Sequence, residues 1–287
     1  MMSARRKGPE DTLPARPTLH LSGPKLRAAI ERLLAGAEAG GGIERWVAGL
    51  RYKSAVFSQA LAPSARAALD EGTLLGLCAM MPTVRRRIGP WLEMSGFDAA
   101  CALVQRLLDD ADDTGRADAA IAAFCANFPA GREHRYARDF AAELLHWSRY
   151  EQYPAMTRWI WDREAGTGVL REIWHDDADP AISRVPDGYE TFLVLREELA
   201  QYLTENGFFR DVPFYVDLVC AQVYASYICE QGGTYLRAEF ASEHDPMQYT
   251  RRMLGLEGID LDSGVTRMKL RDGSAYTLDA AALRTPA

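Results

Sequence analysis

Residues 211–230, DVPFYVDLVCAQVYASYICE, decide how this chain is read. Asp211 is a capping residue, and Pro213 fits the first helical turn, where a missing N–H costs nothing. A helix is therefore expected to begin there and run to about Glu230, where Gly232-Gly233 ends it. It is apolar nearly all round, as a helix buried at the centre of a domain is. Gln222, Ser226 and Glu230 recur at i, i+4 and i+8 as a polar stripe, and Asp217 lies inside the apolar stretch. A carboxylate placed there needs a partner, whether arginine, hydroxyl or metal, because an unpaired buried charge is costly. The apolar run Phe214–Cys229 and a second one, Leu74–Val84, are interrupted and fall short of the ~20 residues of a membrane span. No span is expected.

Working outward from that helix, the pattern stays helical. Phe192, Leu195, Leu199 and Tyr202 mark an amphipathic helix over 189–206 that Gly207 stops. Leu26, Ile30, Leu33 and Leu34 mark another between Pro24 and the Gly40-Gly41-Gly42 break, with Ser22 as its cap. A further helix starts near Ile43, with Trp46, Val47 and Leu50 inside. Short helices fill 64–128, one longer helix spans 131–150, and a brief one falls near Pro246–Leu254. Met268–Arg271 and Ala275–Leu278 flank Asp272-Gly273, a strong hairpin signal. The expectation is a mainly α, single globular multi-helix bundle. Residues 1–23, with four prolines and few large apolar residues, are read as a disordered tail. An all-α domain occupies 24–257, and a small C-terminal β-hairpin and tail over 258–287 pack on it.

The bulk numbers suit that class. The chain has 287 residues, 48% hydrophobic and 25% charged, which is ample for a core without disulfides or a structural metal and excludes wholesale disorder. Its formal net charge of −7 opposes general attraction to phosphate backbones, so nucleic acid is not the expected partner, although Arg85-Arg86-Arg87 and the region holding Arg251, Arg252, Arg267, Lys269 and Arg271 are locally basic. Five scattered cysteines with no CxxC pair suggest neither a disulfide framework nor a cysteine zinc site. No apolar h-region follows the basic residues at the start, and the cytoplasm is the expected compartment. Lysine stands only at 7, 25, 53 and 269, a skew that reads as genome composition.

Phosphate-loop, dinucleotide, HExxH and GxSxG patterns are absent. The pattern carrying most chemistry is a repeated Glu-x-x-His: Glu143-Leu-Leu-His146 and Glu172-Ile-Trp-His175. Spacing of three puts carboxylate and imidazole on one helix face, and di-iron or di-manganese carboxylate bundles use two such pairs plus further glutamates. Glu230 or Asp217 would then bridge the ions, with Tyr150 hydrogen-bonded behind them. Against this, only 29 residues separate the pairs, and His175 opens the acidic loop Asp176–Pro180. Asp139, Glu143, His146 and Tyr150 also form one polar stripe along their helix.

Four of the six tryptophans, Trp147, Trp159, Trp161 and Trp174, fall within 28 residues, accompanied by Tyr150 and Tyr153. Such a concentration serves either as a core seam or as a surface for another protein or a second copy, where Trp and Tyr are enriched. Two functions remain open. The first is a cytoplasmic accessory, regulatory or assembly protein acting through protein binding at the aromatic residues. The second is a non-haem iron or manganese oxidase built on the two Glu-x-x-His pairs.

Overall fold

Ser22 and Pro24 open the first helix, α1 (Gly23–Glu38): the serine side chain accepts from Lys25 N, and Leu26, Ala29, Ile30, Leu33 and Ala37 are buried at spacings of three and four. The structure, a computed structural model, describes residues 16–109, 111–231, 246–257, 265–269 and 275–277. After Gly42 comes α2 (Ile43–Ala60), which buries Trp46, Leu50, Lys53 and Phe57 along one face. Four shorter helices come next, α3 (Pro63–Arg66), α4 (Glu71–Ala79), α5 (Ile88–Ser95) and α6 (Phe97–Asp109), then α7 (Ala117–Cys125) and α8 (Tyr136–Ser148). A single-turn α9 (Val169–Glu172) precedes α10 (Tyr189–Glu205), α11 (Val212–Gln231) and α12 (Pro246–Met253).

The bundle is organised around α11, which contacts α1, α2, α9, α10 and α12, while α8 packs between α2 and α7. The mainly α architecture expected from periodicity is what the described residues form. By length and composition α11 could cross a membrane, but half of its most apolar window is buried in the fold. Its buried polar residues are satisfied there: Thr250 Oγ1 donates to Gln222 Oε1 at 3.0 Å, and Gln222 Nε2 donates to Ser226 Oγ at 3.3 Å. Its last turn departs from the all-buried expectation, since Cys229 and Glu230 are exposed.

Residues 16–22 are seated on the body where composition predicts a tail. Leu19 is buried, Leu21 bridges Trp174, Ser22 N donates to Ile173 O at 2.8 Å, and His175 N donates to His20 O at 2.8 Å. One apolar side chain and a short run of backbone pairing offset the ordering entropy that the prolines had already reduced. Residues 1–15 of the expected tail lie outside the described residues. Two strands, Val265–Lys269 and Ala275–Thr277, pair antiparallel; the Asp272-Gly273 turn lies outside the described residues.

Two glycines permit close approaches between elements. Gly168 has φ +127°, and a Cβ there would come within 2.7 Å of Ile160 O, so glycine alone lets Val169 N and Leu170 N reach Trp159 O and Ile160 O at 3.0 Å each. Gly255, with φ +74°, passes so close to Met80 O that a Cβ would meet it at 1.8 Å. That approach seats the turn after α12 against the end of α4, where Lys53 of α2 reaches Leu254 O.

Candidate functional site

Lys53 comes third after Leu50 and seventh after Trp46, so it shares their inward face, and only 2% of its side chain is exposed. Its Nζ donates to Leu254 O at 2.9 Å, stands 3.4 Å from Glu143 Oε2 on α8, and lies 4.1 Å from the centre of the Trp147 ring. The glutamate accepts from Thr83 Oγ1 at 3.2 Å and from Trp147 Nε1 at 3.3 Å. Burial pushes the Lys53 ammonium down to about 8, against the pull of Glu143. Burial likewise raises the Glu143 carboxyl, with Lys53 opposing it. The pair is thus held where a proton moves between its members more readily than in water.

One turn further along α8, His146 is fixed from both sides. Its Nδ1 is 2.9 Å from the Tyr153 carbonyl, and its Nε2 is 3.2 Å from Asp217 Oδ2 on α11. The carbonyl only accepts, so the Nδ1 hydrogen serves it, and Nε2 faces the carboxylate. Tyr150 OH donates to the same Asp217 oxygen; burial and that carboxylate raise the phenol well above its ordinary range. Here is the partner that a carboxylate in an apolar helix requires. A cavity of about 20 Å³, enough for one water, lies among Glu143, His146, Asp217 and Thr157, and the buried Thr157 Oγ1 has no hydrogen-bond partner.

The polar stripe that runs along α8 to Tyr150 just beyond it is therefore wholly buried, Glu143 meeting α2 while His146 and Tyr150 share Asp217 on α11. Asp139 completes it, accepting from Arg158 N at 2.8 Å and from Arg158 Nη2 at 2.9 Å. Burial raises this carboxyl, against the arginine.

The second Glu-x-x-His pair is elsewhere. Glu172 is half-buried on α9, where Lys25 and Glu230 act on its carboxyl; burial raises it. His175 is 47% exposed, 3.9 Å from Asp179 and against the His20 ring. Asp217 beside His146 and Glu230 near Glu172 are 13 residues apart on α11, roughly 20 Å at 1.5 Å per residue. Glu230 pairs with Arg32 at 3.4 Å. Glu143, His146, Glu172 and His175 thus form no common ligand set, and among the described residues no group of three or more His, Cys, Asp or Glu could hold a metal. The short α9 behind the Gly166-Thr167-Gly168 turn leads its glutamate away from α8. Among the described residues these four positions gather no donor set for iron or manganese: Glu143 meets Lys53, and His146 lies between the Tyr153 carbonyl and Asp217.

All six aromatic residues singled out by the sequence are buried, so they build core rather than exposed surface. Trp161 Nε1 donates to Val185 O at 3.1 Å, Trp174 Nε1 to Asp179 Oδ2 at 3.0 Å, and Tyr153 OH to Ala111 O at 2.9 Å. Trp147 and Trp159 wall the small cavity, and Trp147 and Tyr150 stack at 5.7 Å. Of the arginine clusters, Arg85 is buried, and Arg251 lies over the Trp46 ring at 5.5 Å.

That last contact borders a cleft of about 330 Å³ between α2 and the end of α12. Arg45 and Arg251 stand at its rim, Trp46, Tyr52 and Leu256 form its walls, and Lys53 lies among its lining residues. Among the described residues three cations and no carboxylate line it, in a chain whose net charge is −7; behind the lining, Lys53 meets Glu143 and Arg251 stands 4.0 Å from Glu257. Sequence reasoning missed Lys53. The available signal was a lysine continuing the Trp46, Leu50 face in a chain that otherwise uses arginine. Compared as a whole, the chain matches no protein-family model, no curated protein and no solved structure.

Proposed function

We propose that the chain works by binding, as a receptor for a small organic anion with an apolar or aromatic body, seated in the cleft between α2 and α12. The observation that carries this reading is the lining itself: among the described residues, Arg45, Lys53 and Arg251 with no carboxylate, against aromatic and aliphatic walls. The volume of about 330 Å³ is within the range of small-ligand sites, and cations gathered in a low-dielectric cleft focus their field on an anion even when the whole molecule is acidic. An accessory or regulatory role, read out by another protein or a second copy of this chain, is part of the same proposal. So is a cytoplasmic location, which suits five cysteines that are all free thiols.

Titration calorimetry with phenyllactate, a carboxylate with a phenyl side chain, tests the reading. Saturable binding of one molecule per chain is expected, weakened at least ~10-fold when the exposed rim residues are reversed together, Arg45→Glu with Arg251→Glu. Absence of saturable heat, or equal affinity in that double variant, overturns it.

A further inference from the structure

We propose that Lys53 forms an imine with the carbonyl group of a 2-oxo acid held in the cleft. This rests on the anion-receptor reading and adds to it the chemical class of the ligand. A 2-oxo acid carries the two groups that the lining separates: a carboxylate for the rim arginines and an adjacent carbonyl for the amine. Its side chain meets Trp46, Tyr52 and Leu256.

The choice of residue supports this. The chain holds 33 basic residues and only four lysines, yet the one cation buried on the inner face of α2 is a lysine. If its task were to neutralise Glu143 alone, the planar, bidentate guanidinium used almost everywhere else in this sequence would meet a carboxylate at least as well. An amine differs in that it can lose its proton and act as a nucleophile. The surroundings favour that loss, since burial holds Lys53 near 8. Leu254 O and the Trp147 face anchor Nζ, and Glu143 stands 3.4 Å away to take the proton.

The step balances within this set. The ammonium passes one proton to Glu143, and the free amine attacks the carbonyl carbon, forming the C–N bond. Proton transfer from nitrogen to the former carbonyl oxygen gives a neutral carbinolamine. Glu143 returns its proton to that hydroxyl, the C–O bond breaks, and water leaves. Lysine ammonium, carboxylate and ketone have become iminium, carboxylate and water, with no redox partner. A carboxyl raised by burial can hold the proton between the two transfers.

The test is reductive trapping. Native protein is incubated with phenylpyruvate and cyanoborohydride, digested, and mapped by mass spectrometry, with phenyllactate binding measured on the same sample. One reduced adduct on Lys53, and none on Lys7, Lys25 or Lys269 at the same occupancy, is the expected result. Glu143→Gln should slow trapping about 100-fold when it and the wild type are compared at equal ligand occupancy. Phenyllactate binding without an adduct, or an adduct spread over all four lysines, overturns the imine and leaves the anion receptor standing. Failure of both phenyllactate binding and trapping removes both. The wild-type peptide map decides without any variant having to fold.

Discussion

The two Glu-x-x-His pairs share a spacing and differ in everything the fold adds to it. On α8, Glu143 and His146 are 5% and 3% exposed and meet Lys53 from α2 and Asp217 from α11. On α9, Glu172 is half-buried and His175 is 47% exposed, beside an acidic loop. Spacing of three fixes only that carboxylate and imidazole share a face. Whether they become a charged network or a solvated edge depends on the elements packed over that face. Two helices cover α8 on either side, so each polar atom there must find a partner or destabilise the fold. Single-turn α9 leaves its histidine at the margin.

The sharpest test of that difference is to delete each carboxylate. Glu143→Ala strips the counter-charge from a buried ammonium and should cost about 3–5 kcal/mol in urea unfolding, whereas Glu172→Ala should change little. Comparable losses would erase the distinction. Next in size is a dependence on pH. Below about 8 the Lys53 ammonium is retained in folded and unfolded chains alike, and its burial penalty is complete. Between that point and 10.5 the unfolded chain binds the extra proton, so this group makes stability rise with pH, by up to about 3 kcal/mol. Urea midpoints near pH 8 and pH 10, compared between wild type and Lys53→Met, should show the gap shifting in favour of the wild type. A gap that does not move would mean the amine is not desolvated.

His146→Ala removes the ring that spans Tyr153 O and Asp217 and leaves the carboxylate with Tyr150 alone, which should cost about 2 kcal/mol. The smallest effect belongs to His175→Ala, expected within about 0.5 kcal/mol of wild type by the same measurement. A larger loss there would show that its backbone pairing with His20 depends on the side chain.

Much of the fold was legible because it derives from local pattern. The apolar run of α11 with Asp211 before it, the spacing of Leu26, Ile30 and Leu33 in α1, and the stripe of α10 each report a face that must be covered. The seated segment 16–22 was not legible, since what holds it is backbone pairing with residues 173–175, some 150 positions away. The site was legible in fragments. Asp217 announced that it needed a partner, and the stripe Asp139, Glu143, His146 was visible as polar residues on one face. Lys53 passed unread because a cation on an apolar face is ambiguous until its opposite number is known.

The sequence by itself determined the helices, the central place of α11 and the polar character of one face of α8, because helical periodicity and capping are properties of neighbouring residues. Only the tertiary structure decided that Lys53 from α2, Glu143 from α8 and Leu254 beyond α12 would meet at one point, and that the second Glu-x-x-His pair would stay apart. The physical reason is that pairing energy belongs to contacts between distant segments, set by close approaches such as Gly255 against Met80 O, which no local spacing encodes.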